Sequence, residues 1–319
     1  MAEVPSKQYF EKRAAETGFL PSNLEKVYRI MRILDEIRSF DTEGYLALRG
    51  GTAVNFCYLN VPRLSVDSDL VYVRSFEKKL MEQDRARIRT SLDRVFSFLR
   101  YAVEPRTTYA LDQYSLTFRN MAGNLDRVKV EVNYVSSRVP ILKVTKRKMV
   151  SLFETNLREV AVLAPEELYG SKIKALIERG AARDIFDVHH IAQDMDVIDF
   201  ETLRRAAILY CCFELKSDFR SVKVSRLFSD VDEKTIRREL RPLLRRDTVF
   251  PLKKAKEAVN GLVLKIPALE EEEKEFVEAF YRLDYRPDLL FPSNPALKHH
   301  PGAEWRLRML ARKSRSSMS

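Results

Sequence analysis

Apolar residues recur at three- and four-residue steps from Ser22 to Phe40 (Leu24, Val27, Tyr28, Met31, Leu34, Ile37), behind a Pro21-Ser22-Asn23 start. That spacing predicts an amphipathic helix. Tyr45-Leu46-Ala47-Leu48 then reads as a short strand ending in Arg49-Gly50-Gly51-Thr52, with a weakly helical stretch from Ala53 to Leu59 behind it. The glycines therefore fall at a strand-to-helix turn. From Leu64 to Val73 the chain alternates, so that Ser65, Asp67 and Asp69 share one face of an extended segment. Residues 77–100 carry a helical stripe through Leu80, Ile88, Leu92, Val95, Phe96 and Leu99. Tyr114–Arg119 and Leu125–Val135 read as a hairpin around the turn Asn120–Asn124. In its second strand Val128, Val130 and Val132 take one face, and Lys129, Glu131 and Asn133 the other.

Past residue 150 the strand signals fade. Helices are expected at Pro165–Arg179, Arg183–Asp194, Phe200–Leu215, Glu233–Leu244 and Leu269–Leu283. The end, Trp305–Ser319, carries Arg306, Arg308, Arg312, Lys313 and Arg315 with no acid after Glu304, and reads as a frayed basic tail. The expected class is α+β, sheet-bearing first and all-helical second, with no internal repeat.

Composition narrows this only slightly. With 319 residues, 45% hydrophobic and only 9 Gly and 13 Pro, fibrous and disordered classes are excluded. Lys plus Arg exceed Asp plus Glu by 56 − 46, a formal +10, which nominates polyanionic partners. Cys57, Cys211 and Cys212 have neither CxxC nor Cys/His ligand spacing, so disulfide and zinc readings fail. No apolar run approaches the ~18 residues of a membrane span, and MAEVPSKQYFEKRAAE lacks the apolar centre of an export signal. The expectation is a cytoplasmic protein without membrane contact.

Three features bear on chemistry. Gly50-Gly51 lets backbone amides approach a phosphate, with a helix start behind Thr52, although a Gly-Gly pair alone is more often a plain turn. Asp67 and Asp69 suit a hard cation such as Mg²⁺, or else a solvated edge strand. Glu131 either joins them or faces water. Asp112 and Asp126 lie in the same hairpin as alternative third carboxylates, and Glu131 is preferred for its clean alternation. Lys172, Arg179 and Arg183 stand at seven- and four-residue steps, one cationic stripe if a single helix runs through them. Asp184 and Asp187 are one turn apart and suited to orienting those cations. The pairs His189-His190 and His299-His300 lack a third ligand and read as packing or surface residues. No P-loop, dinucleotide or nucleophile-elbow spacing is present.

The order strand, Gly-Gly-Thr, short helix, D-x-D strand and later acidic strand resembles the nucleotidyltransferase superfamily related to DNA polymerase β. Gly51-Thr52 matches the turn, Asp67 and Asp69 the acidic pair, and Glu131 the third carboxylate. LRGGTAVNFCYLNVPRLSVDSDLVYV is similar to the L-x-G-G-T-A and R-x-S-x-D-x-D segments of the AbiEii toxin family, with Arg63 and Ser65 in place. Lys172–Asp187 is similar to that family's K-L-x-A-L-x-x-R-G and R-D-x-x-D, with Ile173 for Leu and Phe186 for a frequent Tyr. The resemblance extends to His300-Pro301 and Trp305-Arg306-Leu307, covering roughly residues 22–308.

The resemblance implies a nucleotidyltransferase lobe over residues 1–150, with a small mixed sheet flanked by helices, and an all-α lobe over 151–319. It implies NTP as substrate and two Mg²⁺ ions on Asp67, Asp69 and Glu131, the last as ligand or base. Gly50, Gly51, Thr52, Arg63, Ser65, Arg179 and Arg183 are the expected nucleotide-binding residues. Lys172 neutralises the departing pyrophosphate. The family's MenT branch implies transfer to the 3′ end of tRNA and a cognate antitoxin partner. A protein or small-molecule acceptor is the alternative, as is a non-catalytic RNA- or antitoxin-binding protein on the same fold.

Overall fold

The computed structural model describes residues 4–40, 44–135, 140–153, 159–195, 198–221, 227–228 and 230–316. The sheet is seven-stranded: β1 (Leu46–Arg49), β2 (Asp67–Tyr72), β3 (Ala102–Thr107), β4 (Leu111–Arg119), β5 (Leu125–Asn133), β6 (Thr145–Lys148) and β7 (Glu159–Val162), in the order β3-β4-β5-β2-β1-β7-β6. It is mixed, with β2 parallel to β5 and β1 parallel to β7, and the other pairs antiparallel. The strand β7 lies past residue 150, so the sheet draws on chain beyond the point where strands were expected to stop. Its four residues are too few to show a period. Two further strands went unpredicted. The edge strand β3 contains Pro105, and β6 reads Thr-Lys-Arg-Lys; neither carries the apolar alternation of a half-buried strand.

The helices are α1 (Lys7–Thr17), α2 (Pro21–Phe40), α3 (Gly50–Ala53), α4 (Lys78–Phe98), α5 (Pro165–Arg179), α6 (Ala182–Gln193), α7 (Phe200–Glu214), α8 (Glu233–Thr235), α9 (Leu252–Val263), α10 (Glu271–Tyr281) and α11 (Pro301–Ser316). The expected helix Glu233–Leu244 breaks up: α8 runs into a π-helical turn at Ile236–Leu240 and a 3-10 turn at Arg241–Leu243, where Pro242 cannot continue an α-helix. The basic tail is a correction. Instead of fraying it forms α11, with Ala303 buried and Leu307 and Leu310 packed against the core; residues 317–319 lie outside the described residues. His300 just before it is buried and stacks on Phe213 at 4.9 Å, a packing residue as read from the sequence.

Strand parity sorts the sheet into a dry face and a wet one. Leu70 and Tyr72, Tyr114 and Leu116, and Val128, Val130 and Val132 are buried on one side, where α2 and α4 lie. Fully burying such side chains contributes about 1.5–3 kcal/mol each. The other face carries Asp67, Asp69, Gln113, Ser115, Lys129 and Glu131. The helical half reaches this wet face through α5, which packs on α7 and touches α3.

Candidate active site

The chain leaves β1 through Gly50, whose φ of +68° is a conformation that favours glycine. Space demands glycine as well, because a Cβ there would sit 2.0 Å from Asp69 Oδ2. At Gly51 a Cβ would approach Ser65 Oγ to 2.9 Å and an Arg63 guanidinium nitrogen to 3.1 Å. The Thr52 hydroxyl donates to the Asp67 carbonyl. Ser65, Arg63 and Thr52 thus back the turn and lock it to the acidic strand; none of the three lines the cavity in front of it.

Asp67 and Asp69 stand on one face of β2, and the register puts Lys129 beside Asp67 and Glu131 beside Asp69. Glu131 accepts from Gln113 Nε2 at 3.1 Å and pairs with Lys129 Nζ at 3.0 Å. The two other hairpin acids are elsewhere. Asp112 is buried on the dry face, clamped by Arg85 and Arg89. Asp126 pairs with Lys26 at 2.8 Å near the hairpin turn.

Burial raises the Asp67 carboxyl above its ordinary value; Lys129 and Arg183 pull it back, and the like charge of Asp69 adds to the rise. Neither Asp67 nor Asp69 is in an ion pair among the described residues. Two close, unpaired carboxylates in partly dry surroundings are poised for a cation. Among the described residues no group of three or more His, Cys, Asp or Glu forms a ready metal cage. The donor set fits Mg²⁺ nonetheless, since that ion binds through one or two carboxylates and completes its shell with water and phosphate oxygens.

A cavity of about 220 Å³ opens beside the pair, lined by Arg49, Gly50, Gly51, Asp69, Glu131, Lys172, Lys174 and Arg179 among others. Of these, Arg49 and Lys174 were not anticipated. Arg49 directly precedes the glycines and is the cross-strand partner of Asp69, a register that strand parity alone does not reveal.

The expected single stripe Lys172, Arg179, Arg183 is not continuous. The helix α5 stops at Arg179, Gly180 caps it with φ +56°, and Arg183 rides on α6 as an exposed residue. Lys172 and Arg179 still meet at one acid: Lys172 Nζ lies 3.3 Å from Asp184 Oδ1, and Arg179 Nε 2.6 Å from Asp184 Oδ2. Lys172 also pairs with Asp187 at 2.9 Å, and Arg63 donates twice to Asp187. Burial works to raise both acids, but Arg63 and Lys172 at Asp187, and Lys172 and Arg179 at Asp184, hold them below the usual carboxylate range. The result is a dry ionic frame with Lys172 on the cavity wall and the acids behind it. The pair His189-His190 packs around Phe186 and Phe250.

A family model described as nucleotidyl transferase AbiEii toxin, type IV TA system, matches residues 32–282. Among solved structures the chain is similar to MenT4, a nucleotidyltransferase toxin from Mycobacterium tuberculosis, at 16% identity and a TM-score of 0.62, covering 96% of this chain and 99% of that one. At that identity the likeness shows a shared fold. A candidate nucleotidyltransferase from H. pylori is similar at 15% identity over 77% of this chain and 94% of that one, with a TM-score of 0.44, too low to argue from. No curated protein matches.

Proposed function

The chain belongs to the AbiEii family of nucleotidyltransferase toxins of type IV toxin–antitoxin systems, and from that premise we propose that it is a Mg²⁺-dependent enzyme moving NMP from an NTP to the 3′ end of tRNA, blocking translation until a cognate antitoxin intervenes. The observation that carries the reading is the juxtaposition of Asp67 and Asp69 with Glu131 on the neighbouring strand, beside a cavity shared by Gly50, Gly51 and Lys172.

In this reading Asp67 and Asp69 hold the metal, which when bound neutralises triphosphate charge and acidifies the acceptor hydroxyl. Gly50 and Gly51 let the triphosphate approach the backbone without a Cβ in the way. Lys172, kept in place by Asp184 and Asp187, and Arg179 beside it face the β- and γ-phosphates. The acceptor oxygen bonds to the α-phosphorus as the bond to the bridging oxygen breaks. Glu131 takes the hydroxyl proton, and pyrophosphate leaves against the Lys172 ammonium. Arg63, Ser65 and Thr52 act from behind the turn by holding its shape. The basic balance of the chain supports RNA as acceptor over a neutral small molecule.

The test is transfer of label from α-labelled NTP to purified tRNA in the presence of Mg²⁺, for the wild type and for Asp67→Ala. Loss of labelling in the variant supports the assignment; labelling undiminished in Asp67→Ala overturns it.

A further inference from the structure

The carboxylate pair stands between two cavities. Asp69 lines the one that contains the glycine turn and Lys172. Asp67 lines a second, of about 510 Å³, which lies over the wet face of the sheet toward its edge and includes Glu104, Arg106, Ser115, Arg127 and Lys129. Strand register builds its floor. Asp67, Lys129, Ser115 and Glu104 form one row across β2, β5, β4 and β3, and Glu131, Gln113 and Arg106 continue the row that begins at Asp69. At ~4.8 Å between strands, the floor runs about 14 Å from the catalytic pair to the edge.

The charges along this floor are unevenly committed. Lys129 is tied to Glu131 at 3.0 Å. Arg106 and Arg127 are exposed, and neither is in an ion pair among the described residues. Of the other arginines around the site, Arg63 is taken by Asp187 and Arg179 by Asp184, while Arg49 lines the first cavity and Arg183 rides on α6, outside the groove. Two free guanidiniums in one groove offer planar, multi-donor matches to phosphodiester oxygens.

A two-substrate transfer needs two approaches to one reacting centre. The turn and Lys172 claim one cavity for the triphosphate, which leaves the groove for the acceptor. We infer that the groove over β3, β4 and β5 is the acceptor site, and that Arg106 and Arg127 hold phosphodiesters of a single-stranded RNA end whose terminal hydroxyl lies at Asp67. This rests on the RNA-acceptor reading above. A protein hydroxyl has no use for two uncommitted guanidiniums on the approach path, whereas an anionic backbone is held by them at every sequence.

The experiment uses the full chain and a short single-stranded RNA with a free 3′ hydroxyl and a 5′ fluorophore. Arg106→Ala, Arg127→Ala and the double variant are compared with wild type by fluorescence anisotropy over a range of salt, and by steady-state transfer with RNA and NTP varied separately. Each single variant binds RNA about tenfold more weakly, the loss of one charged hydrogen-bonding contact, and flattens the salt slope by about one. KM for RNA rises while KM for NTP and kcat at saturating RNA hold, and Arg106→Lys recovers part of the loss. If wild type labels RNA and the double variant binds it with unchanged affinity and salt slope, the groove assignment is overturned and the RNA reading stands. If wild type neither binds nor labels RNA but labels protein, the acceptor reading fails and takes the groove assignment with it.

Discussion

Arg63 and Asp187, 124 residues apart, are joined by two hydrogen bonds of 2.7 Å, with both side chains buried. The pair ties the connection between the glycine turn and the acidic strand to α6. Asn55 and Lys172 contact the same carboxylate, so one buried acid links the segment behind the glycine turn to the helix that carries Lys172. Removing one partner strands a charge in a dry site. Arg63→Ala or Asp187→Ala is therefore expected to cost about 3–5 kcal/mol. Urea unfolding checks this, and a loss below about 1 kcal/mol would show the frame to be dispensable.

Gly50→Ala is expected to abolish transfer while leaving a folded protein. The added methyl meets the Asp69 carboxylate at 2.0 Å and is strained by the φ of +68°. The left-handed backbone costs about 1–2 kcal/mol, and displacing Asp69 by even ~1 Å is enough for a hundredfold loss of rate. A Gly50→Ala enzyme within a few-fold of wild-type kcat would contradict the tight fit.

The three hairpin acids separate by experiment. Glu131→Gln is expected to lower kcat by at least about a hundredfold, the range of a lost general base. Asp126→Asn leaves kcat unchanged, because Asp126 pairs with Lys26 near the hairpin turn and by strand parity falls on the face opposite Glu131. Asp112→Asn lowers stability instead, since Arg85 and Arg89 lose their shared buried carboxylate. If Asp126→Asn and not Glu131→Gln stops transfer, the third carboxylate has been misassigned.

The pH profile carries a sign that can be checked. Burial raises Asp67, so the ionised form proposed to take the cation is lost at a pH above the ordinary aspartate value of about 4. The acid limb of kcat/KM at limiting Mg²⁺ should lie above that value and move down as Mg²⁺ is raised. It should move up in Lys129→Met, which removes the strongest lowering charge. An acid limb at the ordinary value, insensitive to Lys129, would rule out Asp67 as its source.

At the ionic frame the carboxyl shifts run the other way, and they set how stability depends on pH. Asp184 and Asp187 are lowered on folding, so their contribution is fully present above the unfolded value of about 4 and is lost as pH falls through the folded values. Asp67, raised on folding, contributes below the unfolded value and loses that contribution as pH rises through its folded one. Urea midpoints should hold level through neutral pH and drop below about pH 4; Asp187→Asn should blunt the drop. A wild-type midpoint that stays level through pH 3 would contradict the assignment.

Much of the candidate site is legible in the sequence because its parts are local. A period of two places Asp67 with Asp69 and sets Glu131 against the valine face, and Gly50-Gly51 marks the turn, so these residues are found from spacing within a few positions of one another. The helix Pro165–Arg179 was bounded by Pro165 and Gly180, both local signals. The strands β3 and β6 were illegible because edge strands bury little and need no apolar alternation. The helix α11 passed for a tail because its arginines outnumber the few residues that pack.

Sequence alone thus determined the chemistry that the strand faces can offer: a turn without side chains, two carboxylates side by side, and an acid on a later polar strand. Only the tertiary structure decided which cations are spent and which are free. Arg63 is committed to Asp187, Lys172 is shared between Asp184 and Asp187, and Arg106 and Arg127 remain open in the groove beside Asp67. The reason is physical. Side-chain alternation is set by the backbone geometry of neighbouring residues, whereas the pairing of a charge depends on which acid packing brings within about 4 Å, however far along the chain that acid lies.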